Sequence, residues 1–453
     1  MSLAEAAACM GSAVEMPERE AGGVAIDSRK VKAGDIFFCL PGERVDGHDF
    51  ASAAAAKGAV CIVAGRDLPD LAVPVIRVED SCAALGQLAR CWRKRMAGTV
   101  VCITGTAGKT TLKEMLAPIL ARAGKCRATE GNFNNQIGLP LTILNADGDE
   151  KYLLLEAGIS HAGDMEYLGD ICQPDLAIIL NAGEGHTEGL GAQGVAWHKT
   201  RLLDYLRPGG RALINADYPE LVREAKKTGQ RARYFGNSGA GANYGPLLGT
   251  KDGFAICQGG ERLDFEFAAE PLPLAETLLA CASAALELGI GKEEIESGLK
   301  LATAPQHRFQ LLGTQGYLVI DDSYNANPLS MRTSLTRASQ EATARNLPLV
   351  AILGEMGELG SGAQAAHAAL GELLGQIRPL AVFWKGQWLE QIRAGYKGRV
   401  TPLCEPGEFP QLLADQGVPG RAMLIFKGSR LNRLEDYLAA LLAHQRGRRQ
   451  DVL

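Results

Sequence analysis

The sequence predicts an α/β protein of about three domains. The chain has 453 residues, which is more than one hydrophobic core usually serves. Short apolar runs recur along it, and each of them ends in a polar, glycine-rich loop. Such runs are typical of strands that are buried on both faces of a parallel sheet, with helices between them. We place the domains at residues 1–82, 83–307 and 308–453.

The composition excludes several classes of protein. Hydrophobic residues make up 46% of the chain and charged residues 22%, and the net charge of -5 gives no basic excess for nucleic acid. The eleven cysteines form no C-x-x-C pair, and no basic segment precedes an apolar one at the N-terminus. The longest apolar stretch, residues 271–290, carries Glu276 and Glu287 and predicts an amphipathic helix rather than a membrane span. We therefore expect reduced thiols and a cytoplasmic protein.

The first domain is predicted from four short apolar runs. Alternating and β-branched residues indicate strands at 23–26, 35–40, 59–64 and 73–78. An alanine-rich helix is expected at 51–57, between the second and third of these strands. A longer helix at 81–96 ends in a basic cluster and is predicted to lead into the second domain.

The second domain opens with a phosphate-binding loop. The apolar run at 100–103 predicts a buried strand, which breaks into a glycine-rich turn, and a helix begins at Lys109. Backbone N–H groups of such a turn and the positive end of the helix favour phosphate, Lys109 neutralises charge, and the Thr110 hydroxyl suits Mg²⁺. The spacing G-x-x-G-K-T is two residues shorter than the usual P-loop. The sequence predicts ATP binding by Gly105, Thr106, Ala107, Gly108, Lys109, Thr110 and Thr111.

Two further strands of this domain are expected to end at the same crevice. Runs at 152–155 and 176–180 lead into Glu156 and into the loop 181–186, which contains His186. Ligands of open parallel sheets bind outside the carboxyl ends of the strands, so these groups converge on the P-loop. Glu156 is predicted to coordinate Mg²⁺. Taken alone, Glu156 could equally be an ordinary loop carboxylate, and His186 could equally have a structural role.

Lys199 lies on the apolar stripe of a predicted helix. It shares that stripe with Val195, Leu202, Leu203 and Leu206. Burial of a lysine is costly and favours the neutral amine, which reacts with CO₂ to give an anionic carbamate able to bind a metal. The alternative is a side chain whose stem is buried and whose ammonium reaches water.

The third domain repeats the pattern of apolar runs and polar loops. Strands are predicted at 318–320, 349–353, 381–384 and 422–426, with helical patterns between them. Arg308, at the domain junction, is placed to reach phosphate, and Asp321 and Asp322 to accept ribose hydroxyls. A salt bridge at a hinge near 306–310 explains these residues as well. The polar loop 131–138 fits either ligand recognition or a turn.

The motifs together resemble the Mur ligase family of peptidoglycan synthesis. The resemblance runs almost from end to end, and it is closest to the branch that adds D-Ala-D-Ala. It is carried by the P-loop and by the strings D-S-R at 27–29, G-D-I-F at 34–37, G-E-R-V-D-G-H-D-F at 42–50, G-N-F-N-N-Q-I-G-L-P at 131–140, D-D-S-Y-N-A-N-P-L-S-M at 321–331, G-E-M-G-E-L-G at 354–360 and K-G-S-R at 427–430.

The resemblance implies a three-domain architecture and a reaction. A central P-loop ATPase domain with a parallel sheet would lie between an N-terminal α/β domain that binds a UDP-sugar and a C-terminal Rossmann-like domain that binds the incoming dipeptide. The substrates would be ATP, UDP-N-acetylmuramoyl-tripeptide and D-Ala-D-Ala, and the reaction would pass through an acyl phosphate. Mg²⁺ at two sites would be the cofactor, and a monomer would suffice.

The resemblance also implies roles for individual residues. The catalytic set would be Lys109, Glu156, His186 and Lys199, and the metal ligands Thr110, Glu156, His186 and a carbamoylated Lys199. Beyond the P-loop, ATP contacts would come from Arg308, Asp322 and Asn325. The substrate contacts would be Ser28, Arg29, Asn134, Asn135, Lys427 and Arg430.

The chain departs from the family in two places. Members often have asparagines for adenine near the start of the helix at 274–288, whereas residues 273–278 contain none. The segment 157–165 differs from the more usual Asn-His and Glu. Two alternatives stay open: a sister ligase that adds a single amino acid, in the same pathway or to folate, and a regulator that binds nucleotide and UDP-sugar without turnover.

Overall fold

The N-terminal part of the chain forms a small parallel sheet. The computed structural model describes all residues except 17, 43–44, 184–186, 239–240, 251, 268–274, 304, 315 and 451–453. The sheet has four strands in the order β1–β2–β3–β4, and all neighbours run parallel. Its elements are α1 (Leu3–Cys9), β1 (Gly23–Ala25), β2 (Asp35–Phe38), α2 (Ala51–Ala56), β3 (Cys61–Ala64) and β4 (Val75–Arg77).

The central part is built on a nine-stranded sheet in the order β13–β12–β11–β10–β9–β8–β5–β7–β6. Strands β5 to β11 run parallel, and β12 and β13 add an antiparallel edge. The strands are β5 (Thr99–Thr104), β6 (Cys126–Ala128), β7 (Tyr152–Glu156), β8 (Leu176–Ile179), β9 (Arg211–Asn215), β10 (Ala232–Phe235), β11 (Tyr244–Thr250), β12 (Gly253–Gln258) and β13 (Glu261–Glu266). The helices are α3 (Ser81–Arg95), α4 (Lys109–Ala123), α5 (Gly138–Leu144), α6 (Asp164–Cys172), α7 (Thr187–Leu190), α8 (Gly194–Thr200), α9 (Pro219–Lys227), α10 (Ala275–Glu287) and α11 (Lys292–Leu301).

The C-terminal part has a six-stranded sheet in the order β14–β15–β19–β16–β17–β18. All its neighbours are parallel except β14, which pairs antiparallel with β15. Its elements are β14 (Gln310–Gly313), β15 (Tyr317–Asp321), α12 (Pro328–Ala344), β16 (Leu349–Gly354), α13 (Ala363–Ile377), β17 (Ala381–Lys385), α14 (Leu389–Gly395), β18 (Val400–Pro402), α15 (Phe409–Asp415), β19 (Ala422–Lys427) and α16 (Leu434–Gln450).

The central strands are continuous apolar runs in the sequence because their side chains point alternately to two buried faces of the sheet. In β5, Val100 and Cys102 pack into a core on one face of the sheet, whereas Val101 and Ile103 pack into a core on the other. Successive side chains of a strand point to opposite faces, so a strand covered on both sides needs apolar residues at every position. The first of these cores also contains Ile36 and Phe38 of β2. The N-terminal sheet and the central sheet therefore share one hydrophobic core.

The predicted α/β class is confirmed, with mostly parallel sheets in three parts of the chain. Every predicted strand is present; those of the first domain are shorter by one or two residues at an end, and most of the others are longer by one residue at one or both ends. The predicted helical stripe around Lys199 is two segments, because α8 ends at Thr200 and a 3₁₀ helix follows at Arg201–Tyr205. The boundaries at residues 82 and 307 stay predictions. Among the described residues, no helix is both long and apolar enough to cross a membrane.

Candidate active site

A cleft of about 880 Å³ lies between the carboxyl ends of the central strands and the C-terminal part of the chain. Strands β8, β5 and β7 are neighbours in the sheet, so the loops that follow them meet at this cleft, as the sequence predicts. The predicted residues that line it are Gly105, Thr106, Ala107, Gly108, Lys109, Thr110, Thr111, Asn134, Asn135, Glu156, Lys199, Arg308, Asp322, Asn325 and Lys427.

The phosphate-binding loop joins β5 to α4. Gly108 precedes the helix with φ of +81°, a left-handed conformation that a residue with a Cβ adopts only with strain. Lys109 begins α4, and its Nζ donates a hydrogen bond to the carbonyl of Gly105 at 2.9 Å. Burial lowers the pKa of Lys109, Arg308 lowers it further, and Glu156 acts in the opposite direction. An anion bound in the loop would raise this pKa and so favour the charged ammonium.

Glu156 lies beside the loop and is held from three sides. Its Oε2 accepts a hydrogen bond from the Thr110 hydroxyl at 3.0 Å, and its Oε1 accepts one from Nδ2 of Asn134 at 2.7 Å. Its own backbone N–H donates to Oγ1 of Thr129 at 3.1 Å. The carboxylate is 1% exposed. A hydroxyl and a carboxylate oxygen side by side at a phosphate site form a donor set that fits Mg²⁺.

Lys199 projects into the same cleft from the last turn of α8. It is 3% exposed, and among the described residues its amine has no hydrogen-bond or ion-pair partner. Burial holds its pKa well below the usual value, and the nearby charge of Lys109 lowers it further. The lowered pKa favours the neutral amine, which is the form that carbamate formation requires. His186, the other predicted ligand of the second metal, lies outside the described residues.

The C-terminal part supplies the opposite wall of the cleft. Asp322 forms a buried ion pair with Nζ of Lys427 at 2.6 Å, and the same carboxylate oxygen accepts a hydrogen bond from the Ser334 hydroxyl at 2.5 Å. The guanidinium of Arg308 lies 4.1 Å from the ring centroid of Tyr324. This stacking fixes the plane of Arg308 while leaving its N–H donors for a ligand. Asn325 also lines the cleft on this side.

Two predicted substrate contacts, Ser28 and Arg29, lie away from this cleft, whereas the guanidinium of Arg430 lies at its margin, 5.9 Å from the ring centroid of Tyr324. Ser28 and Arg29 follow β1, and Arg29 forms a two-pronged contact with Asp27, with both distances 2.9 Å. Arg430 pairs with Glu435 at 2.9 Å, on an exposed turn beyond β19. The roles of these residues stay predictions.

Two connections that the sequence did not predict tie the P-loop to its surroundings. Asn327 caps α12 through its Oδ1, and its Nδ2 donates to the carbonyl of Thr106 at 3.3 Å. Asn181, the first residue beyond Leu180 at the end of β8, accepts hydrogen bonds from the N–H groups of Thr106 and Ala107. The position of Asn181 at a strand end was the available signal, but Thr106 and Ala107 lie 75 and 74 residues away in sequence, and no local pattern reveals them.

Comparisons with known proteins identify the family of the chain. Family models match residues 20–93 as the catalytic domain of the Mur ligase family, 103–266 as the Mur ligase middle domain, and 307–429 as the Mur ligase glutamate ligase domain. The UDP-N-acetylmuramoyl-tripeptide–D-alanyl-D-alanine ligase of Escherichia coli (strain K12) is 31% identical over 433 residues, which cover 92% of this chain and 93% of that protein.

Solved structures give the same result. A crystal structure of MurF from Acinetobacter baumannii superposes with a TM-score of 0.86 at 29% identity and covers 98% of this chain and 99% of its own. The MurF ligase from Thermotoga maritima in complex with ADP superposes with a TM-score of 0.81 at 29% identity and covers 95% and 99%. The chain belongs to the Mur ligase family of ATP-dependent ligases, which confirms the resemblance carried by its motifs.

Proposed function

We propose that the protein joins D-Ala-D-Ala to the terminal carboxylate of UDP-N-acetylmuramoyl-tripeptide, with conversion of ATP to ADP and phosphate. The observation that carries the proposal is the arrangement of Lys109, Thr110, Glu156 and Lys199 around one cleft. The substrates are those named for relatives that cover almost the whole chain. We further propose that the reaction takes place in the cytoplasm and that a monomer catalyses it.

The reaction has two chemical steps. The tripeptide carboxylate attacks the γ-phosphorus of ATP, the bond to the β-phosphate oxygen breaks, and ADP leaves with an acyl phosphate in its place. The amino group of D-Ala-D-Ala then attacks the acyl carbon, loses a proton, and expels inorganic phosphate through a tetrahedral intermediate. A carboxylate oxygen alone is a poor leaving group, which is why the first step is needed.

The residues of the cleft bind and orient the reacting groups. Lys109 and the N–H groups at the start of α4 stabilise the negative charge that develops on the transferred phosphoryl group. Arg308 contacts phosphate from the opposite wall, and Asp322 holds the ribose. Because acyl phosphates hydrolyse, the C-terminal part must close over the nucleotide and exclude water.

The oxygen donors fit Mg²⁺ at two places. Thr110 and Glu156 would hold one ion, and a carbamate formed on Lys199 would hold a second together with His186. The metal would neutralise charge on the phosphate oxygens. Asn134 keeps one oxygen of Glu156 occupied at 2.7 Å and so orients the other oxygen toward Thr110.

The hinge is proposed at residues 306–310. His307 and Phe309 have φ of +59° and +51°, so the residues on both sides of Arg308 have a left-handed backbone. Nδ1 of His307 contacts Asp321 at 2.7 Å, and the backbone N–H of Phe309 donates to Asp322 at 3.2 Å. The hinge backbone is therefore bonded directly to the strand end that carries the proposed ribose contact.

The experiment is ADP release by the purified protein with UDP-N-acetylmuramoyl-tripeptide. We expect turnover with D-Ala-D-Ala and none with single amino acids. Turnover only with a single amino acid, tested also on shorter muramoyl-peptides and on folate, would assign a sister ligase instead. No turnover with any pair would favour the non-catalytic regulator.

Two further measurements test the mechanism. ¹⁸O placed in the tripeptide carboxylate should appear in the released phosphate, and its absence there would exclude the acyl phosphate. Lys199→Ala should be inactive and regain activity when short carboxylic acids are added. A fully active Lys199→Ala would exclude the carbamate.

A further inference from the structure

The turn of the P-loop is wrapped around the side chain of Asn181. Oδ1 of Asn181 accepts hydrogen bonds from the N–H groups of Thr106 at 2.8 Å and Ala107 at 3.0 Å. Its Nδ2 donates to the carbonyl of Ala107 at 3.2 Å. Asn181 is 4% exposed, so water is not available to replace these bonds. The conformation of the turn therefore requires that the amide oxygen of Asn181, and not its NH₂ group, points toward Thr106 and Ala107.

An asparagine amide has two orientations of nearly equal shape, and a neighbouring group has to select one. Here that group is Glu276, in the first turn of α10, whose Oε1 accepts a hydrogen bond from Nδ2 of Asn181 at 2.7 Å. If the amide rotated by half a turn, its NH₂ would face the two N–H donors of the loop and its oxygen would face the carboxylate. All four hydrogen bonds of the amide would be lost together.

Glu276 is unusual in its surroundings. It lines the nucleotide cleft, and among the described residues it has no ion-pair partner. Its second oxygen lies 3.5 Å from the Tyr218 hydroxyl. Burial raises the pKa of Glu276, so an ionised carboxylate is held here at a cost. A carboxylate beside the binding site of a polyanion is unfavourable unless it has a structural task, and its short contact with Asn181 supplies one.

We propose that Glu276 is a positioning residue for ATP: it selects the orientation of Asn181, and Asn181 in turn sets the conformation of Thr106 and Ala107 in the phosphate-binding loop. The inference depends on the use of ATP by this family and not on the identity of the amine substrate. It predicts an effect on nucleotide affinity that is separate from the binding of the peptide substrates.

The first test compares Glu276→Gln with Glu276→Met. Glutamine keeps an acceptor for Asn181, whereas methionine has a similar length and none. We expect Glu276→Met to raise the KM for ATP and the Kd for ADP about tenfold, the usual effect of losing one hydrogen bond to a charged group. Glu276→Gln should stay within about threefold of the unmodified protein, and the KM for D-Ala-D-Ala should be unchanged in both.

Tyr218→Phe is the matched control, since it removes the hydroxyl that faces the second oxygen of Glu276 and leaves Asn181 untouched. Isothermal titration with ADP supplies a readout that needs no turnover, so failure of the proposed acyl transfer would not disturb it. An unchanged Kd for ADP in Glu276→Met would overturn the inference. An equal loss in Glu276→Gln and Glu276→Met would also overturn it, because charge rather than hydrogen bonding would then be responsible.

A second pair of variants covers the case in which Glu276→Met does not fold. Asn181→Asp still accepts from the loop but places a carboxylate against Glu276, and we expect weak ADP binding. In the double variant Asn181→Asp, Glu276→Gln, the glutamine NH₂ donates to the new aspartate and rebuilds the contact with its polarity reversed. Recovery of at least half of the lost affinity, on a logarithmic scale, supports the proposal, and no recovery contradicts it.

Discussion

A single methyl group at Gly183 tests whether the two walls of the cleft must close for catalysis. A Cβ built on Gly183 would lie 2.8 Å from both Cβ and Cδ2 of Leu329, the second residue of α12. Ordinary van der Waals contact begins at 3.4 Å, so the walls would have to separate by roughly 0.6 Å. The φ of Gly183 is outside the left-handed region, so Gly183→Ala adds this steric effect without backbone strain.

The free-energy cost of Gly183→Ala to the closed cleft has two sources, the steric overlap with Leu329 and the weakening of one hydrogen bond between the walls. Overpacking of this kind costs about 1–3 kcal/mol. The same separation would lengthen the contact from Nδ2 of Asn327 to the carbonyl of Thr106, which is already 3.3 Å, beyond the range of a hydrogen bond. Since about 1.4 kcal/mol corresponds to a factor of ten, we expect kcat to fall between about fivefold and a hundredfold.

The assay is ADP release at saturating substrates, with the Tm measured in parallel. Gly407→Ala, where a Cβ meets nothing within 4 Å, is the control in the same part of the chain. Leu329→Ala removes the Cδ2 and Cγ atoms from the contact and should restore part of the rate in combination with Gly183→Ala. A wild-type kcat in Gly183→Ala would refute the reasoning, as would a Tm lowered by more than the control, since the wedge acts between the walls and not within a core.

Three further predictions concern stability. Burial lowers the pKa of His367 in the folded protein, so below about pH 6.5 the unfolded chain binds a proton there that the folded chain does not. The free energy of unfolding should therefore fall as the pH is lowered below about 6.5, by up to about 1.4 kcal/mol per pH unit. In urea titrations, His367→Gln should flatten this slope. Lys427→Met leaves Asp322 buried without its cation and should cost about 3–5 kcal/mol, while the double variant with Asp322→Leu should regain stability but not turnover; equal Tm values for all three would contradict this. Arg93 is 1% exposed and donates to the carbonyls of Cys172 and Gln173, so Arg93→Met should cost about 3 kcal/mol or more in the free energy of unfolding with little change in KM, and a neutral result would exclude a structural role.

Much of the fold follows from local patterns. The strands of the central and C-terminal sheets are apolar at every position because both faces are covered, and this signal is visible without knowledge of the partners of each strand. The burial of Lys199 was likewise predictable from the apolar residues near it, although the single helix assumed for them ends at Thr200. The proximity of Glu156 to the P-loop was predictable because parallel strands bring their carboxyl ends to one edge of the sheet.

Other features depend on contacts between distant parts of the chain. Asp322 and Lys427 come from the ends of neighbouring strands β15 and β19, but they are 105 residues apart in sequence. The bond between Asn181 and Glu276 spans 95 residues. Nothing in the local sequence of α10 distinguishes Glu276 from the acidic residues that are common in the first turn of exposed helices. The sequence therefore shows that asparagines are absent there, but it does not reveal that Glu276 contacts Asn181.

The shared core of the N-terminal and central sheets has a consequence for synthesis of the chain. That core includes Leu3 and Leu85 as well as Leu221 and Ala225, so it is completed only when about half of the 453 residues have been synthesised. The C-terminal sheet has cores of its own, but β15 has to wait for β19 on one side. Folding during translation should thus proceed in two late, cooperative stages, with an aggregation-prone nascent chain before each.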